Sequence, residues 1–201
     1  TALVLNILVA GIGTIRFSQA GYFSWRALWP FLAGSMPLAF IGGAITLPGG
    51  AYKVVVGVIL LFAAVWLALP ERVKSERPGR FPLIPILPAI GTGGVIGLLS
   101  GLTGTGGGIF LSPLLIFSQW ARMRETAGVC APFILANSSA GLLGHLTSVQ
   151  NLPSEIPVWA IAAVIGGLIG TELGRRRLGI PMLQRLLAIV LVIAGLKLIL
   201  T

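Results

Sequence analysis

Residues 101–110 read GLTGTGGGIF, and Leu111, Ser112 and Pro113 follow. Five glycines fall within the eight residues 101–108. Each costs a helix about 1 kcal/mol relative to alanine, so an ordinary helix does not run through them. The stretch nevertheless lies at the middle of residues 81–121, which contain no Asp, Glu, Lys or Arg. A helix crosses the hydrocarbon core in about 20 apolar residues. At that depth irregular backbone is tolerated where it is buried in protein or lines a watery cavity. The stretch therefore predicts a glycine-broken helix or a helical hairpin with its irregular part inside a membrane.

The rest of the chain agrees with a membrane setting. Of its 201 residues 56% are hydrophobic and 9% are charged, against about 25% charged in a soluble domain. There is too little polar surface to coat a water-facing globule. Residues 27–52 and 126–154 are also free of Asp, Glu, Lys and Arg. The net charge of +9 does not indicate nucleic acid, because the basic residues cluster in short segments between apolar runs, as the positive-inside rule expects. The single Cys130 excludes a disulfide framework, and no grouping of residues suggests a metal or another cofactor. Trp25, Trp29, Trp66, Trp120 and Trp159 stand near the ends of apolar runs, where an aromatic belt belongs.

The predicted fold is all-α. Helical segments are expected at 1–16, 25–46, 50–69, 82–102, 106–119, 127–147, 156–174 and 181–200. The hydrophilic stretch PERVKSERPGR, residues 70–80, reads as a cytoplasmic linker between two transmembrane repeats, 1–69 and 81–201. Residues 6–69 align without a gap on 137–200, an offset of 131 that pairs Asn6 with Asn137 and Gly13 with Gly144. Arg16 and Arg26 fall on Thr147 and Pro157, whereas Arg175–Arg177 fall on Ala44, Ile45 and Thr46. Positive charge thus changes loops between the copies, which marks repeats inserted in opposite orientations. For an inverted pair, residues 81–121 must enter and leave on one side. By the same offset, the first repeat is expected to lack its opening unit in this chain.

The glycine stretch is also the place for chemistry. A half-helix starting near Gly107 offers free N–H groups and the positive end of its dipole to an anion. Thr103 and Thr105 add hydroxyl groups. Asn137 and Ser138 lie in mid-span, and Asn6 repeats the first of them, so these three are expected to line the same cavity. Two plainer readings compete: glycines that only allow tight helix packing, and polar side chains that only bond helix to helix. Glu172 is placed to pair with the Arg175–Arg177 triplet. His145, the only histidine, reads as an interfacial residue.

GTGGGIFLSPLL, residues 104–115, resembles the Gly-x-Gly-Gly-Gly-x4-Pro-x-Leu signature of the sulfite exporter TauE/SafE family of membrane permeases. The downstream ARMRETAGVCAPFILANSSAGLLGHL, residues 121–146, looks like that family's next span. The resemblance implies a transporter of sulfur-containing anions, such as sulfite or organosulfonates, in the bacterial inner membrane. It assigns Gly104, Gly106, Gly107, Gly108 and Pro113 to the transport site. One copy of the signature is present, and Cys130, Ala131 and Pro132 stand where small hydroxyl residues are expected. The partners implied are a small anionic substrate and the lipid bilayer; homo-oligomerisation stays open. The competing functions are an intramembrane serine protease using Ser100 and His145, whose local sequence GLLSG lacks the rhomboid Gly-x-Ser-Gly, and a membrane assembly factor without a substrate.

Overall fold

The computed structural model describes residues 2–45, 57–58, 61, 64–65, 84–145, 156–174 and 180–200. The described residues form helices and their connections, with no strand among them. They are α1 (Ala2–Gln19), α2 (Trp25–Ala44), α3 (Ile86–Thr103), α4 (Gly108–Phe117), α5 (Met123–His145), α6 (Ile156–Glu172) and α7 (Ile180–Leu200). The expected all-α membrane fold is present, and four of these helices are long and apolar enough to cross a bilayer. Residues 70–80, Trp66, Thr147, Ser148, the Arg175–Arg177 triplet and the His145 side chain lie outside the described residues.

The chain divides into two compact units, residues 1–46 with 81–177 and residues 47–80 with 178–201. The first unit is organised around α5, against which α1, α2, α3 and α4 all pack. Leu3 lies beside Gly141 and Gly13 beside Ala131, so α1 runs antiparallel to α5. Between α1 and α2, Gly21 takes a left-handed φ of 75°. Ser24 then caps α2, its Oγ accepting from the Ala27 amide at 3.4 Å. The backbone of Tyr22 meets Gly128 and that of Phe40 meets Gly144, so α2 runs parallel to α5.

The α2–α3 seam is built on glycine. Gly93, Gly97 and Gly101, one every fourth residue, lie on the backbone of Phe31, Ser35 and Ala39. A methyl group at any of the three would overlap the opposing chain. Close backbone approach of this kind is how helices associate where lipid removes the hydrophobic driving force. α2 and α3 run in the same direction.

After Thr103 the chain reverses. A Cβ at Gly107 would stand 3.1 Å from Ile96 Cγ2 and 3.2 Å from Ser100 Cβ. From there α4 returns along α5, with Gly106 beside Ser138 and Ser112 beside Cys130. Beyond α4, Trp120 packs at a tilt on Phe31 with ring centroids 6.1 Å apart, and Phe31 is the residue against which Gly93 of α3 lies. The chain has thus come back to the level at which α3 began. Of the two forms expected for residues 81–121, the structure adopts the hairpin.

The base of this hairpin is filled by Leu28, Phe31, Leu111, Leu115, Val129 and Phe133, all nearly or fully buried. The same end of the unit collects Arg16 from the last turn of α1, Arg26 from the first turn of α2, and Arg122 and Arg124 at the start of α5. α6 runs parallel to α1, with Gly167 beside Val9 and Glu172 paired to Arg16 at 2.9 Å. Glu172 therefore reaches a helix 156 residues away in sequence. Its expected partners, Arg175–Arg177, lie outside the described residues.

In the second unit, α7 presents Gly195 to Gly57. A Cβ at Gly195 would lie 2.9 Å from the Gly57 carbonyl and 3.0 Å from Leu61 Cγ.

Candidate functional site

The apex of the α3–α4 hairpin is residues 104–107. Gly104, Gly106 and Gly107 have φ of 68°, 76° and 78°. Residues with a Cβ visit this left-handed region at a cost of about 1–2 kcal/mol each. Three such positions in four residues explain why the sequence is glycine there. Gly104 caps α3, its amide donating to the Ser100 carbonyl at 2.8 Å. Gly107 opens α4, its carbonyl accepting from Phe110 and Leu111. Among the described residues, the amides of Gly107, Gly108 and Ile109 have no backbone acceptor, as expected of the first turn of a helix.

The apex lies deep in the unit. Gly106 and Gly108 touch Ile134, the central residue of Met123–His145. It also meets Asn6 and Ser138, two of the polar residues singled out from the sequence. A Cβ at Gly106 would stand 2.8 Å from Ser138 Oγ and 3.3 Å from Asn6 Nδ2. Asn6 donates from Nδ2 to the Gly104 carbonyl at 3.3 Å. Gly104, Gly106, Asn6 and Ser138 are therefore one cluster, built from α1, α5 and the hairpin. Asn137, next to Ser138 on α5, is fully buried.

The hydrogen-bond ledger of this cluster is incomplete. Both amide atoms of Asn137 and the hydroxyls of Ser138 and Ser100 are buried without a protein partner. All three residues are 0% exposed. A buried polar group left unpaired costs about 1–3 kcal/mol; elsewhere in the unit the hydroxyls of Ser35 and Thr126 are buried in the same way. Ser100 was not expected from the sequence to lie beside the apex. A single serine in a glycine-rich span carries no signal of its own; only the reversal of the chain brings it beside Gly107.

Thr103 and Thr105 are arranged differently from the expectation of free donors. Thr103 Oγ1 donates to the Leu99 carbonyl at 2.7 Å, and the Thr103 and Thr105 hydroxyls lie 2.8 Å apart. With the Thr103 proton committed to Leu99, the Thr105 proton falls to Thr103. Pro113 is buried in the second turn of α4, away from the apex. Ser112 Oγ donates to the Gly108 carbonyl at 2.8 Å and lies 3.2 Å from Cys130 Sγ. A thiol thus fills the place beside the short helix where a hydroxyl was expected. Gly101 packs tightly against Ala39 and Gly43, as the plainer reading of the glycine stretch expects.

The cluster contains neutral donors and open amides and no ionised side chain. Among the described residues, no group of His, Cys, Asp and Glu could hold a metal ion.

Comparison with known proteins gives the same direction. The profile of the family described as Sulfite exporter TauE/SafE matches residues 1–198. A probable membrane transporter protein of Sinorhizobium fredii is 40% identical over 200 residues, covering 99% of this chain and 81% of the relative. Another, of Methanocaldococcus jannaschii, is 26% identical over 159 residues, covering 74% of this chain and 55% of the relative. A third, of Xylella fastidiosa, is 29% identical over 90 residues, 44% of this chain and 34% of its own. No solved structure matches the chain significantly.

Proposed function

Since the chain belongs to the sulfite exporter TauE/SafE family, whose matched relatives are described as membrane transporters, we propose that it carries small sulfur-containing anions, such as sulfite or organosulfonates, outward across the bacterial inner membrane. The observation that supports this reading is the hairpin apex. Gly106 and Gly107 are held in left-handed backbone at the depth of Ile134. Beside them stand Ser138 and Ser100, and Asn137 precedes Ser138 on α5; all three are buried with polar atoms that no protein group satisfies. An oxyanion is a natural complement to donors of this kind. It needs several hydrogen bonds, and the first turn of a helix supplies them with a favourable dipole.

The neutrality of the site suits transport. A lysine or arginine in the pocket would hold an anion tightly, whereas amides and hydroxyls let it leave. The direction follows from the membrane potential. An elementary charge crossing 100 mV changes energy by about 2.3 kcal/mol, so an inside-negative membrane favours outward movement of a dianion by about 4.6 kcal/mol. The chain has no Asp, and its five Glu lie near the ends of apolar runs, which leaves no carboxylate relay for uptake coupled to protons. By the positive-inside rule the arginine-bearing end of the first unit faces the cytoplasm. The hairpin would then enter and leave on the cytoplasmic side.

Two measurements test the proposal. The purified protein should be stabilised by its ligand by RT ln(1 + [L]/Kd), so sulfite, sulfate, thiosulfate and small sulfonates are compared for their effect on the melting temperature. Anion efflux from oriented vesicles is then followed at an imposed potential. No stabilisation by any of these anions, together with flux no faster than in empty vesicles, would remove the anion reading and leave a membrane transporter of another substrate.

A further inference from the structure

Gly106 and Gly107 are neighbours in the apex but meet different surroundings. A Cβ at Gly106 would meet Asn6 and Ser138, whereas one at Gly107 would stand 3.0 Å from Phe133 Cε1 and 3.2 Å from Ser100 Cβ. The Gly107 side borders α2, α3 and α5, which run in the same direction. These three helices meet at Ala39, Gly101 and Gly141. A Cβ on Gly101 would overlap the Ala39 carbonyl, and one on Gly141 would lie 3.7 Å from that carbonyl and 3.8 Å from Gly101 Cα. About one turn, four residues, back along each helix stand Ser35, Gly97 and Asn137. Gly97 lies on the Ser35 backbone. A further turn back are Phe31, Gly93 and Phe133, where Gly93 lies on Phe31 and both phenylalanines are 0% exposed in one apolar cluster.

Ser35, Gly97 and Asn137 therefore form one layer, between a tight contact of small residues and an aromatic floor. Ser100, in the turn after Gly97, borders the layer on the side of Gly107. The layer is polar where its neighbours are not. Ser35 Oγ, Ser100 Oγ and both amide atoms of Asn137 lack a protein partner, and the three residues are 0% exposed. A helical serine can bond to the carbonyl four residues back, as Ser112 does to Gly108 and Ser139 to Leu135. Ser35 and Ser100 do not. Three helices thus each bring an unpaired polar side chain to one level of the unit, and position 97 adds no side chain to fill the space they face.

We propose that this layer is a second lobe of the transport site, which receives an uncharged hydrogen-bonding group of the substrate while the open amides of Gly107, Gly108 and Ile109 receive its oxyanion. The inference rests on the anion reading given above and narrows the substrate class to sulfonates that carry a hydroxyl group. Serine hydroxyls and the asparagine carboxamide both donate and accept, and a substrate hydroxyl, which also does both, complements them. A second charge does not fit. No ionised side chain stands in the layer, and burying a carboxylate against the aromatic floor costs far more than burying a hydroxyl that is bonded. Ser35, on the α2 side of the layer, is then a specificity-determining residue.

The test compares two sulfonates of nearly equal size, 2-hydroxyethanesulfonate and propane-1-sulfonate, which differ by a hydroxyl in place of a methyl group. Kd for each is obtained from the rise of the melting temperature with concentration. A site built to bond a hydroxyl discriminates against the analogue that lacks it, so the hydroxylated compound should bind about ten-fold more tightly or better. Ser35→Ala should shrink that ratio by about three-fold or more and leave the propane-1-sulfonate Kd within about two-fold of its original value. The melting temperature of the variant without ligand should hold or rise, because the substitution removes an unpaired hydroxyl. A ratio near one, or a ratio that Ser35→Ala leaves unchanged, overturns the second lobe, and binding of both sulfonates in that case still upholds the anion reading. If neither sulfonate binds, nor sulfite, sulfate or thiosulfate, the anion reading fails and this inference falls with it.

Discussion

The Asn6 side chain donates a hydrogen bond to the carbonyl of Gly104, 3.3 Å away in space and 98 residues away in sequence. It fastens the end of α3 to α1 where the chain reverses. Asn6→Ala should therefore lower stability by about 1 kcal/mol, the net worth of one such bond. Unfolding of the purified protein in lipid micelles reads this directly. An unchanged midpoint would show that the bond does not hold the apex.

Gly106 and Gly104 share left-handed backbone but not surroundings. A Cβ at Gly104 meets only Leu3, at 3.9 Å, whereas one at Gly106 meets Ile134 at 2.7 Å and Ser138 Oγ at 2.8 Å. Gly104→Ala should cost about 1–2 kcal/mol in backbone strain alone and leave most anion flux intact. Gly106→Ala should add overlap inside the cluster and reduce flux more than ten-fold. Vesicle flux of the two variants, normalised to folded protein, separates them; equal losses would mean that strain alone matters.

Ser138 and Asn137 distinguish a binding role from a structural one. Their polar atoms have no protein partner, so Ser138→Ala and Asn137→Leu remove groups that only cost stability in the empty protein. Melting temperatures should hold or rise, while the stabilisation given by added anion should fall. If both variants melt lower by the equivalent of a lost hydrogen bond, these side chains bond helix to helix instead.

The α2–α3 seam should be intolerant of added volume. A Cβ at Gly97 runs into the Ser35 backbone, whereas nothing lies within 4 Å of one at Gly91 in the same helix. Gly97→Ala should destabilise by about 1–3 kcal/mol through overpacking. Gly91→Ala should stabilise by up to about 1 kcal/mol through helix propensity. Opposite signs in a thermal melt are the expected result.

The Arg16–Glu172 pair joins α1 to α6 with both side chains more than a third exposed, at 38% and 35%. Ion pairs in such settings contribute about 0–1 kcal/mol. A double-mutant cycle with Arg16→Gln and Glu172→Gln should give a coupling within that range, declining as salt is raised. A larger, salt-insensitive coupling would show that the pair is desolvated in the membrane-bound protein.

Much of this was legible before the structure. The uncharged length of residues 81–121 with a glycine break at its middle allowed a helical hairpin, and the structure has one. The clustered glycines located its apex to within a residue or two. Asn6, Asn137 and Ser138 stood out because polar side chains in mid-span need a reason. Ser100 did not, since its importance comes from reversal of the chain and not from its neighbours in sequence. The fate of the Thr103 and Thr105 hydroxyls was equally hidden: a threonine in a last helical turn bonds back to its own carbonyls, and no spacing rule reports that. The Arg16–Glu172 pair was hidden for the same reason, since it joins helices 156 residues apart in sequence.

Both feet of the α3–α4 loop stand on one rim of the bundle, and its tip ends among side chains that touch it from three directions. No segment continues from the tip to another part of the bundle, so only contact with its neighbours fixes it there. The bare amides owe their position to the Asn6 bond and to the packing of Ile134 and Ser138.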